Sequence, residues 1–242
     1  MSDVLAPLLE LEGVAAAVKS AQDAVFAVHR HPVNLRGAPA TAAEASVRAA
    51  RASAAVEGAD PEIPADAAVT DPVLAGALRV AEAMESLLPT WRRAPGQALA
   101  RMHMLAAADL VTGTDALGRP SADAGPRLDL LTQLVTGATA VPGVVLTAVV
   151  HGELLALRPF GTADGVVARA AARLTMVATG ADPKSLTVPE VACLRRIGRY
   201  REAAANFATG EPSGVRDWLL FCCEALEKGA REARGIAETA RG

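Results

Sequence analysis

Apolar residues recur at helical spacing along most of the chain. Leu8, Leu11, Ala15, Val18 and Val25 share one face and predict a first helix over residues 5–28. His31-Pro32 ends it, because proline disfavours helix in the residue before it. A loop with Gly37 and Pro39 follows. Thr41 with Glu44 three positions later reads as a capping box, opening a second helix that reaches Glu57 and stops at Gly58. Asp71-Pro72 reads as an N-cap with proline in the first turn. Further helices are predicted over 72–88, 96–110, 126–136, 141–157, 165–179, 187–207 and 215–239, with turn-rich stretches at 59–70 and 112–125. Thr187-Val188-Pro189-Glu190 is a second capping box. The valines of 141–150 suit a strand, but the apolar segment runs on to Leu157, too long for one. The predicted fold is therefore a single all-α domain with little or no β structure, and 141–157 is its central buried helix.

Composition sharpens this picture. The 242 residues are 51% hydrophobic but only 3% aromatic, so the core must be built from Ala, Leu and Val between closely approaching helices. A net charge of -3 gives no field to gather nucleic acid or an anionic membrane, and neither is an expected partner. The basic pairs Arg92-Arg93 and Arg195-Arg196 read as solvated helix faces. Cys193, Cys222 and Cys223 form no CxxC pair and suit a reduced cytoplasm. No signal peptide is evident at the N-terminus. The longest apolar run contains His151 and Glu153, too polar for a membrane span. The expected location is the cytoplasm.

Several chemical signals fail on inspection. Gly113 to Gly118 has the glycines of a phosphate loop without its Lys and Ser/Thr. His29 and His31 lack further metal ligands nearby. His103, among Met102, Met104 and Leu105, reads as a packed histidine. No metal site and no cofactor is predicted. One segment does have an architecture suited to chemistry: a long apolar helix ends in Arg158-Pro159-Phe160, a turn follows through Gly161 and Thr162, and a new helix opens near Asp164-Gly165. The free N–H groups and dipole of that second helix suit an anion.

This segment resembles the motif of the Fic/Doc (Fido) family, His-Pro-Phe-x-Asp/Glu-Gly-Asn-Gly-Arg-x-x-Arg. Pro159, Phe160, Gly165 and Arg169 match it. Arg158 stands at the family's catalytic His, Thr162 at its acidic metal ligand, Ala163 at its first Gly, Asp164 at its Asn and Val166 at its first Arg. His151 fits a helical His often found ahead of the motif. Far away, Ser53-Ala-Ala-Val-Glu57-Gly58 resembles the family's inhibitory motif, in which the Glu pairs with the motif's last Arg. The resemblance covers most of residues 53–226. It implies domain limits of 1–40 for an N-terminal helix and loop, 41–226 for the Fido-like body and 227–242 for a C-terminal helix extension. It further implies a direct ion pair between Glu57 and Arg169.

The family transfers a nucleotide, usually AMP from ATP, to a protein hydroxyl, and the departures here remove its tools. A guanidinium stays protonated, so Arg158 cannot be the base. Thr162 lacks the charge to hold Mg²⁺. Val166 offers a phosphate nothing. Asp164 is expected to cap the second helix, filling its anion site with a carboxylate of the chain itself. The sequence thus predicts a Fido-like binding or regulatory module without AMP transfer, whose partner is a protein or small anionic ligand, with self-association open. An enzyme of altered chemistry is the first alternative, with Arg158 and Arg169 clamping a phosphate or carboxylate and Asp164 or His151 as base, and conventional nucleotide transfer to a protein hydroxyl is a remoter one. A purely structural reading stands beside these: Glu57, Arg158, Asp164 and Arg169 as a polar network holding helix ends together.

Overall fold

The computed structural model describes residues 3–65, 68–113 and 115–240. Helix is the only regular structure among them, as expected of a chain whose core residues are good helix formers. The helices are α1 (Val14–His29), α2 (Pro32–Arg36), α3 (Pro39–Val56), α4 (Pro72–Arg93), α5 (Pro95–Ala107), α6 (Gly125–Gln133), α7 (Gly143–Leu157), α8 (Asp164–Ala178), α9 (Pro189–Arg195), α10 (Ile197–Ala208) and α11 (Pro212–Thr239). They form one all-α domain. Among the described residues, no helix is long and apolar enough to cross a membrane. Asp66, Ala67 and Thr114, inside the two predicted turn-rich stretches, lie outside the described residues.

Helix α7 is the axis. It is apolar nearly all round, and Val145, Val150 and Leu154 are almost wholly shielded from solvent, as a helix surrounded by others must be. Helices α1, α8, α10 and α11 pack against it. Gly152 permits the close approach of α10 and α11. A Cβ there would collide with the rings of Phe207 and Trp218. Trp218 is fully buried and donates from Nε1 to the carbonyl of Ala148 at 2.8 Å, which satisfies its only polar atom. A second core region, with Trp91, Leu99 and Met102, joins α4, α5 and α8.

The structure revises several predicted elements. The first helix is broken: a 3-10 turn (Ala6–Glu10) precedes Gly13, whose φ of 79° starts α1 afresh. The predicted loop after His31 contains the short helix α2. Helix α3 starts at Pro39, so Thr41 lies inside its first turn and caps nothing; its hydroxyl donates to Asn34 and the carbonyl of Ala38. Helix α4 continues through Pro89, at the loss of one backbone hydrogen bond, because Trp91 anchors the added turn in the core. The predicted helix over 187–207 is two, α9 and α10, separated at Arg196. Thr187 is no cap there: its hydroxyl donates to the buried carboxylate of Asp182 at 2.6 Å. The Asp71 cap is present, with Oδ1 accepting from Val73 and Leu74 at 2.9 Å each.

Candidate functional site

The loop between α7 and α8 is held in shape by its own backbone. Arg158 ends α7 at φ 45° and Ala163 precedes α8 at φ 51°, both in the left-handed region. Non-glycine residues take that conformation only where their surroundings compensate. Here the compensation is visible. The N–H of Gly161 donates to the carbonyl of Arg158 at 3.2 Å, and that of Ser121 donates to Pro159 at 2.8 Å. The Asp164 Oδ1 atom accepts from the N–H of Phe160 at 2.9 Å. Asp164 is therefore the first residue of α8 and not its cap. Its side chain turns back into the loop, because Ala163 takes the capping position with a left-handed backbone. Its second oxygen, Oδ2, is buried without a partner. Burial pushes the Asp164 carboxyl up, against the N–H groups of Phe160 and Gly161 that hold it down.

His103 supports the same loop from α5. The N–H of Gly118 donates to its Nδ1 at 2.9 Å, so Nε2 carries the ring proton and donates to the hydroxyl of Thr162 at 3.0 Å. Its ring stacks on Phe160, centroids 4.3 Å apart. His103 is fully buried, as a packed histidine should be. The Thr162 hydroxyl is thereby engaged as an acceptor.

Arg169, one turn into α8, is 97% buried and unusually well satisfied, being only 3% exposed. Its Nε donates to Ser53 Oγ at 2.8 Å, Nη1 to the Tyr200 hydroxyl at 3.2 Å, and Nη2 to the Ser53 carbonyl at 2.9 Å and Glu57 Oε1 at 2.6 Å. Glu57 is the C-cap of α3 and Gly58, at φ 94°, turns the chain away. The carboxylate of Glu57 also lies directly on Gly165, where a Cβ would overlap it. The end of α8 that Asp164 was expected to fill is faced instead by Glu57.

Together these residues border an open cleft of about 450 Å³. Glu57, Arg158, Asp164, Gly165 and Arg169 line it, whereas Ser53 and Thr162 do not. His151 does not line it. That ring shares a hydrogen bond with the Tyr200 hydroxyl at 2.9 Å and faces a cavity between α7, α8, α9 and α11. Burial, with Arg169 nearby, pushes its pKa down to about 3, so it is neutral. The sequence reasoning missed Arg201 of α10, which lines the cleft and donates from Nη2 to the carbonyl of Val56 at 3.0 Å. No local pattern around Arg201 distinguishes it from its surface neighbours.

The residues present do not fit Mg²⁺. Thr162 is uncharged and already accepts from His103, and the free oxygen of Asp164 is shielded from solvent. No group of three or more His, Cys, Asp or Glu suited to a metal occurs among the described residues.

Two comparisons are silent: no protein-family profile and no curated protein matches the sequence. The fold, by contrast, has solved counterparts. A Fic family protein from Desulfovibrio desulfuricans G20 superposes with a TM-score of 0.72 at 18% identity, over 93% of this chain and 74% of that one. The chain thus has the fold of a Fic family protein, the class that the loop motif implied.

Proposed function

We propose that this Fic-fold protein is a binding or regulatory module with a degenerate catalytic loop, and that its cleft accepts a small anionic ligand rather than transferring AMP. The observation that carries the reading is Arg158. It stands where the resemblance puts the catalytic base, it is exposed on the cleft, and no other described residue is hydrogen-bonded to its guanidinium. A permanent cation there cannot accept a hydroxyl proton, and it is well suited to bind an anion. Thr162 and Val166 point the same way, since neither supplies a metal ligand or a phosphate donor. Loss of the general base alone typically costs ~10²–10⁴ in rate.

A second reading rests on Asp164. Its carboxyl is raised by burial, one oxygen is unpartnered, and Arg158 is close enough to influence it. Those features suit a base acting on a phosphate- or carboxylate-bearing substrate, provided that the loop shifts to uncover the shielded oxygen. Labelling with α-labelled ATP and Mg²⁺ tests the first reading. No transfer to the chain or to lysate proteins is the expected result. Transfer that disappears in Arg158→Ala would overturn it.

A further inference from the structure

The cleft has two unlike ends. At the inner end, every nitrogen of the Arg169 guanidinium already donates within the protein, and the Glu57 carboxylate covers Gly165 at the start of α8. An incoming phosphate finds there a negative charge and an Arg169 with four of its five N–H donors already engaged. At the mouth the situation reverses. Arg158 makes no hydrogen bond or ion pair to another described residue, and Arg201 uses one donor, towards Val56. A guanidinium has five N–H donors, so most of the donor capacity of both side chains is open to a ligand. Both residues are exposed, and they reach the same cleft from different helices, Arg158 at the end of α7 and Arg201 on α10.

The cleft lining that the same two helices contribute is largely apolar and short. Leu155 and Ala156 come from α7, and Ala204, Ala205 and Ala208 from α10. These short side chains leave room beside the two cations. They present carbon to whatever the cations hold, the mixture of apolar wall and few fixed polar groups typical of small-molecule sites.

Resting on the proposed anion-binding role, we infer that Arg158 and Arg201 together hold the head of a small organic anion, a carboxylate or phosphate monoester, whose apolar body lies over Leu155 and the alanines of α10. The anion sits at the mouth of the cleft and not at the start of α8. Arg201 is then a ligand-binding residue, and the preferred ligand is smaller and less charged than a nucleoside triphosphate. Two guanidinium groups match two oxygens of one head, and the body gains from leaving water.

Titration calorimetry on the full chain tests this with three probes: phenyl phosphate, inorganic phosphate and ATP. Phenyl phosphate is expected to bind one per chain, at least tenfold tighter than inorganic phosphate and no weaker than ATP. Arg201→Ala and Arg158→Ala should each weaken phenyl phosphate at least tenfold. Ala205→Glu, on an exposed position, should do the same by placing a like charge on the apolar wall, with the melting temperature confirming that each variant is folded. Phenyl phosphate binding that ignores Arg201→Ala or Ala205→Glu, or that equals inorganic phosphate, overturns the inference. If inorganic phosphate nevertheless binds and depends on Arg158, the anion-binding role survives it. If none of the three probes binds, both fall.

Discussion

Glu57 and Arg169 lie 112 positions apart and meet at 2.6 Å, a half-exposed carboxylate on a buried guanidinium. The asymmetry decides what the contact is worth. Arg169 is out of water and needs its partners, whereas the Glu57 side chain keeps 36% of its exposure and loses little by separation. Ser53 and Tyr200 hold the same guanidinium, so Glu57 supplies charge balance within a network that joins α3, α8 and α10. Both the functional and the structural reading of these residues are served by that arrangement.

Removing Glu57 should therefore destabilise moderately. Glu57→Ala is expected to cost about 1–2 kcal/mol, between the values of exposed and buried pairs. Arg169→Ala should cost more, about 3–5 kcal/mol, because it strips Ser53, Glu57 and Tyr200 of their shared donor. Urea denaturation of the two variants beside the parent protein checks the order. Equal losses would show that the ion pair, and not the network, carries the stability.

Gly165 offers a sharper test of the same contact. Gly165→Ala puts a methyl group where the Glu57 carboxylate lies, and it should destabilise by about 1–3 kcal/mol although alanine favours helix. Glu57→Ala removes the obstacle. In the double variant the two costs should fall short of their sum by more than about 0.5 kcal/mol. Additive costs would mean that Glu57 does not rest on α8 in solution.

The helical class was legible because Ala, Leu and Val at helical spacing leave no other regular structure to build. Local caps were legible only where nothing distant competed. Asp71 caps α4 as its pairing with Pro72 implies. Thr41 and Thr187 match capping boxes equally well, yet Asn34 and Asp182 recruit their hydroxyls. Asp164 was misread for a related reason: the left-handed backbone at Ala163 shifts the helix start and turns the carboxylate towards Phe160. In the cleft, the loop residues could be found from their motif. Glu57 could be paired with Arg169 only through the resemblance, since no spacing relates residues on separate helices. Arg201 had no signal at all, because its place in the cleft depends on how α10 packs.

Acid should unfold the protein partly through His151. Its pKa of about 3 in the folded chain lies below the ordinary value near 6.5, so the unfolded chain binds the proton more readily. Stability contributed by the neutral ring is complete above pH 6.5 and is lost progressively as pH falls towards 3. Burial shifts His103 in the same direction. The melting temperature should thus fall between pH 6.5 and 4.5, before most carboxylates titrate, and His151→Gln should flatten that segment. An equally steep profile in the variant would assign the loss to other groups.

Restoring a base should not restore transfer. Arg158→His places an imidazole at the end of α7, in a left-handed position that histidine tolerates better than a β-branched residue would. The remaining obstacles are untouched. Thr162 is neutral and engaged by His103, the Val166 side chain has no donor, and Glu57 still covers Gly165. Adding Glu57→Ala clears the start of α8 but supplies no metal ligand, and a hydroxyl is a poor substitute for a carboxylate on Mg²⁺. The expected outcome is no Mg²⁺-dependent labelling by α-labelled ATP in Arg158→His or in the double variant. Labelling should at most emerge when Thr162→Asp is added, and then weakly, because the buried side chain of His103 must accept a charged neighbour in place of a hydroxyl. Labelling by Arg158→His alone would show that one residue separates this loop from a working enzyme, and that Thr162 and Glu57 do not obstruct it.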